Sequence, residues 1–96
     1  MIKVRWTQEA KQDYWNNIDY LLDEFPIEVT ERFVAKVEKL EQQLKSRNVT
    51  YKATSRKNIY QKPIVKQVTL FYYADQNIIL LLRFWNNKRD PKNLKL

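Results

Sequence analysis

Apolar positions along the chain recur first every second residue, then every three or four, then every second residue again. Ile2, Val4 and Trp6 alternate with Lys3 and Arg5, the period of a short strand. Ala10, Tyr14, Ile18, Leu21 or Leu22, and Phe25 then step at helical spacing and predict an amphipathic helix over about residues 8–24. Thr7 suits its N-cap, Glu9 puts an acid in the first turn, and Pro26 disfavours helical geometry at Phe25. Asp13, Asn16, Asn17, Asp19 and Asp23 fall outside the apolar stripe. The three aspartates read as a solvated face. Trp15 and Tyr20 sit near core spacing with Tyr14, Phe25 and Phe33, and the core is the expected place for most of this aromatic set.

Val29, Phe33, Val37, Leu40 and Leu44 step by four, four, three and four, which predicts a second helix ending near Lys45 to Arg47. The short Pro-containing joint makes the two helices an antiparallel hairpin. Asn48 to Arg56 reads as a polar connector, and Lys57 to Lys62 as a weak strand that Pro63 ends or places on an edge. A strand from Val65 or Lys66 to Tyr73 and another from Ile78 to Trp85 flank Asp75-Gln76-Asn77. This turn has no Gly, and its Asp and Asn tolerate the left-handed backbone expected there. Ile78 to Trp85 is almost wholly apolar, as in a central strand covered on both faces. Tyr72 and Tyr73 point to opposite faces, one under the helices and the other on the open side.

The order is β-α-α-β-β-β. It predicts an α+β domain of two layers, a helical hairpin packed on an antiparallel sheet. The N-terminal strand joins that sheet at a position the pattern does not specify. The 96 residues make one domain.

Composition then narrows the chemistry. There is no Gly, Cys or His. A Gly-rich phosphate loop, a disulfide, a thiolate metal site and a Ser-His or Cys-His nucleophile are therefore excluded. Catalysis would fall to Lys, Arg, Tyr, Asp or Glu. No metal and no cofactor is expected. No signal-peptide core or membrane-length apolar run occurs, so a cytoplasmic location without membrane partners is the expectation.

Charge is segregated. Residues 1–49 hold 8 Lys and Arg against 9 Asp and Glu, whereas residues 50–96 hold 10 against 2. A basic sheet half attracts nucleic acid or an acidic protein. Arg56, Lys57, Lys62, Lys66 and Arg83 are the candidate phosphate-binding cations, if their side chains converge. Arg83 stands apart as the one charge from Ile78 to Trp85. It must either pair with a helix carboxylate in the core or project at the strand end beside Lys88 and Arg89. The second arrangement is the one expected.

Val4 to Ala10 with Tyr20, Ala35 to Leu44, and above all Ile79 to Pro91 together resemble the ParE/RelE superfamily of toxins from bacterial type II toxin–antitoxin modules. In the last piece an apolar strand carries an arginine and is followed by Lys88-Arg89-Asp90-Pro91. The resemblance covers almost the whole chain and implies the same two-layer fold. It also implies a toxin neutralised by a cognate antitoxin. ParE-type members poison DNA gyrase, and RelE-type members cleave mRNA on the ribosome. After Trp85 the sequence has no Tyr, His or Glu to serve as acid or base, which favours ParE-like inhibition by binding. Arg83, Asn86, Lys88 and Arg89 are then the target-binding candidates. In the alternative nuclease reading, Arg56, Lys57, Lys62 and Arg83 clamp phosphates. A third reading is an inactive homologue that binds only its antitoxin.

Overall fold

The computed structural model describes residues 2–46 and 52–96. Strand β1 (Lys3–Trp6) leads into helix α1 (Gln8–Glu24) and helix α2 (Ile27–Lys45). Strands β2 (Lys52–Ala53), β3 (Ile59–Val65), β4 (Val68–Ala74) and β5 (Ile78–Asn86) follow, and a 3-10 turn (Pro91–Asn93) lies near the C-terminus. Both helices and the three-strand meander match the periodicity of the sequence. Part of the connector, 48–51, and the helix limit at Arg47 lie outside the described residues. The remainder of the connector holds the two-residue β2, too short to register as a period.

The sheet order is β1-β5-β4-β3-β2. β1 runs parallel to β5, with Lys3 opposite Ile78 and Trp6 opposite Leu81. The sheet is thus mixed, and not antiparallel throughout as the pattern suggested. An α-helical hairpin between β1 and the meander carries the chain back across the sheet, so the first strand can lie parallel to the last. β5 is interior, between β1 and β4, but it is not covered on both faces as its apolar run suggests: Ile79, Leu81 and Phe84 are buried under the helices, whereas Ile78, Leu80 and Leu82 are only half-buried.

Thr7 starts α1 by accepting the Ala10 N–H at 3.0 Å. Its own N–H reaches the Leu81 carbonyl at 3.0 Å, which ties the helix start to β5. Phe25 is extended because it precedes Pro26, and α1 stops there. The helices bury Ala10, Leu21, Phe33, Val37, Leu40 and Leu44 against Leu70, Tyr72, Ile79, Leu81 and Phe84. Leu21 takes the inward position and Leu22 is exposed. Trp15 is 62% exposed, which corrects its expected place in the core. One helical step from Tyr14 turns its indole out of the stripe, where its ring meets only the edge of Tyr14 among the described rings. Tyr72 is buried under the helices and Tyr73 lies on the open side.

Two turns differ from expectation. In the β4–β5 turn, Asp75 Oδ1 accepts the N–H groups of Asn77 and Ile78 at 2.8 and 2.9 Å. Side-chain capping closes this turn, and no left-handed residue is needed. The one left-handed residue described is Asn58, at φ 65°, whose carbonyl accepts the Ala74 N–H. β3 continues through Pro63, which pairs with Thr69 of β4, and its register shifts between Pro63 and Val65.

Candidate functional site

A bulge in β5 decides where its charged residue goes. Phe71 faces Arg83 and Tyr72 faces Leu81, so Leu82 has no cross-strand partner. Without it, residues 81, 83 and 85 would share the helix-covered face. With it, Leu81 and Phe84 both turn toward the helices, while Arg83 joins Phe71 on the other face. Phe84 then packs among Trp6, Tyr14 and Phe33, with ring centroids 5.2 to 6.1 Å away.

β1 ends at Trp6, opposite Leu81, and leaves the following backbone of β5 without a neighbouring strand. Polar side chains of α1 occupy this edge. Asp13 Oδ2 accepts the Phe84 N–H at 3.2 Å, and Asn17 Nδ2 donates to the Phe84 carbonyl at 2.9 Å. Arg83 reaches round the same edge, its Nε 2.6 Å and its second terminal nitrogen 3.0 Å from the two Asp13 oxygens. This is a forked ion pair, and it is the only salt bridge among the described residues. Arg83 therefore pairs with a helix carboxylate and does not project freely as expected. Its guanidinium is held charged more firmly than usual, first by the hydrogen bonds it donates to Asp13, against the opposing effect of burial. Asp13 and Asn17 are buried, not solvated. Their spacing from the buried Ala10 and Leu21 permits this placement, but only the open edge of β5 calls for it.

Trp85 gathers two members of the predicted target-binding set. The Arg89 guanidinium carbon lies 4.5 Å from its ring centroid, and that of Arg83 lies 5.7 Å away. The indole is only 4% exposed, and its N–H has no hydrogen-bond partner among the described residues. The other two members stand elsewhere. Asn86 and Lys88 line a hollow with Tyr20, Phe25, Lys66 and Gln67. Asn86 Oδ1 accepts the Lys88 N–H at 2.9 Å and shapes the exit from β5.

The four nuclease candidates do not converge. Lys62 sits opposite Leu70, which sits opposite Phe84, so its row faces the helices. There it lines a cleft with Lys36 and Lys39 of α2. Arg83 occupies the adjacent row, with Phe71 and Gln61, on the opposite face. Arg56 and Lys57 are exposed in the β2–β3 turn. Among the described residues, no helix is long and apolar enough to cross a membrane.

The family model describing the ParE toxin of type II toxin–antitoxin systems, parDE, matches residues 4–91. The fold is similar to that of a chain in the chromosomal ParDE system from P. aeruginosa. That match has 13% identity and a TM-score of 0.70, over 90% of this chain and 96% of the other. A copper-bound mutant toxin from Helicobacter pylori aligns at 16% identity and TM-score 0.65, over 92% and 97% of the two chains. The DinJ-YafQ complex from E. coli contributes a chain at 9% identity and TM-score 0.64, over 92% and 96%. No curated protein matches the chain by sequence.

Proposed function

Because the chain belongs to the ParE toxin family of type II toxin–antitoxin systems, we propose that it arrests growth by binding an essential target, DNA gyrase, and not by cutting RNA. A cognate antitoxin neutralises it. The observation that carries this reading is the separation of the cations. Cleavage at a ribose 2′-hydroxyl needs a base, an acid and phosphate clamps around one scissile bond. Lys62 and Arg83 face opposite sides of the sheet, and the Arg83 fork is occupied by Asp13. The chain beyond Trp85 also lacks Tyr, His and Glu.

A binding surface at the end of β5 makes a different demand, namely rigid presentation of exposed polar groups. Arg89 lies over the Trp85 ring, the half-buried Asn86 ends β5 and accepts the Lys88 N–H, and Lys88 is exposed in the turn that follows. Arg83 supports this surface from below, through Asp13 and the Trp85 ring. The test exposes DNA gyrase, and separately ribosomes on a defined mRNA, to the purified protein. Inhibited supercoiling with intact mRNA is the expected result. Codon-dependent cleavage that scales with added protein would overturn it.

A further inference from the structure

The hollow beside Asn86 and Lys88 sets two aromatic rings against a basic rim. It holds about 330 Å³ between the C-terminal end of α1, the β3–β4 turn and the exit of β5. Tyr20 and Phe25 form its apolar wall, with ring centroids 5.9 Å apart and planes at 68°. Lys66 and Lys88 are exposed at its rim, and no carboxylate lines it. Neither lysine has a salt bridge among the described residues. The Gln67 side chain also makes no hydrogen bond there, whereas Asn87 Nδ2 is fixed on the Lys66 carbonyl at 3.0 Å.

We propose that this hollow is the specificity pocket for the target: it takes an acidic peptide segment carrying one large apolar side chain. This rests on the reading of the protein as a binding toxin and adds the chemistry its target must present. The two rings are inclined at 68° and form an apolar corner. A corner seats a branched or aromatic side chain, whereas a stacked nucleobase requires an open ring face. Two unpaired ammonium groups at the rim complement carboxylates on either side of that anchor. The Gln67 amide has a donor and an acceptor free for a peptide backbone. An apolar centre ringed by polar groups is also the usual anatomy of a binding hot spot.

The test compares two charge reversals that lower net charge equally, Lys66→Glu with Lys88→Glu at the hollow and Lys36→Glu with Lys39→Glu at the α2 cleft. Each double variant is melted to establish its fold. Its growth inhibition on induction is then measured, together with the side-chain amide NMR spectrum during titration with the blocked peptide Asp-Glu-Ser-Phe-Glu-Asp. In the unchanged protein the peptide should shift the Gln67, Asn86 and Asn87 amides. The hollow variant should bind it at least tenfold more weakly and lose growth inhibition, while the cleft variant retains both. Equal losses in the two doubles would reduce the effect to general basicity and overturn the proposal. So would full toxicity in the hollow variant, or stronger amide shifts with uridine monophosphate than with the peptide. Failure of the binding-toxin reading would appear separately, as mRNA cleavage by the unchanged protein.

Discussion

Replacing Asp13 with Ala should be among the most damaging single changes to this fold. The carboxylate accepts three hydrogen bonds, from Arg83 Nε, from an Arg83 terminal nitrogen and from the Phe84 N–H. Its loss leaves a largely buried guanidinium without its partner and a strand N–H unsatisfied beside the core. Breaking a buried ion pair by removing one partner costs roughly 3–5 kcal/mol. The Arg83 and Asp13 side chains keep 19% and 12% of their exposure, so some water reaches the pair and the lower end applies, about 3 kcal/mol. The orphaned Phe84 N–H contributes to this sum on the order of 1 kcal/mol. In a domain of this size each kcal/mol moves the melting temperature by about 4–8 °C, so a drop of roughly 12–24 °C is expected. Circular dichroism melts of the purified variants measure it. Asp13→Asn, which keeps an acceptor for Phe84 but loses the charge, should fall between wild type and Asp13→Ala. Arg83→Ala should destabilise nearly as much, and Arg83→Lys should rescue only part, because an ammonium cannot make the planar fork. A shift below about 2 °C for Asp13→Ala would refute the reasoning, since it amounts to less than about 0.5 kcal/mol. The pair would then be an ornament of the surface, and Arg83 would be available to the target after all.

Three other outcomes are expected. The Tyr14 phenol is pushed above its ordinary value, first by burial and then by Glu38 and Glu41. The folded state holds that proton more tightly, so the stability it contributes is present below about pH 10 and lost as pH rises through the folded value. Melts above pH 10 should show a decline that Tyr14→Phe makes shallower, and identical slopes would clear Tyr14. Arg89→Ala removes an exposed cation from the Trp85 ring and should cost only about 0.5–1 kcal/mol, yet abolish growth inhibition in a colony assay. A toxic, normally melting Arg89→Ala would take Arg89 out of the binding surface. Saturating antitoxin should raise the melting temperature, with about 2.7 kcal/mol added at a hundred times its dissociation constant. An unchanged melt at that concentration would count against the complex.

What the sequence determined by itself is local and periodic. The stripe from Ala10 to Leu21 and that from Phe33 to Leu44 specify two amphipathic helices. Thr7 and Pro26 set their limits, and the two runs around Asp75-Gln76-Asn77 specify a hairpin of β4 and β5. These features depend on the neighbours of each residue within one turn or one pleat, and such neighbours are given by the chain order. Asp13 and Asn17 were misplaced for a different reason. Their burial depends on a partner about seventy positions away, the edge of β5 that β1 leaves open. A polar residue on a helix reads as solvated until such an unsatisfied backbone edge is brought against it. The cation set failed through register. One unpaired residue, Leu82, reverses which face Arg83 occupies, and no composition or spacing in that apolar run marks it. Tertiary structure alone therefore decided that Arg83 closes a strand edge, that Lys62 faces the helices, and that Tyr20 and Phe25 meet Lys66 and Lys88 around one hollow. The physical reason is that each of these depends on which distant segments share an edge or a face, and secondary-structure period carries no information about that.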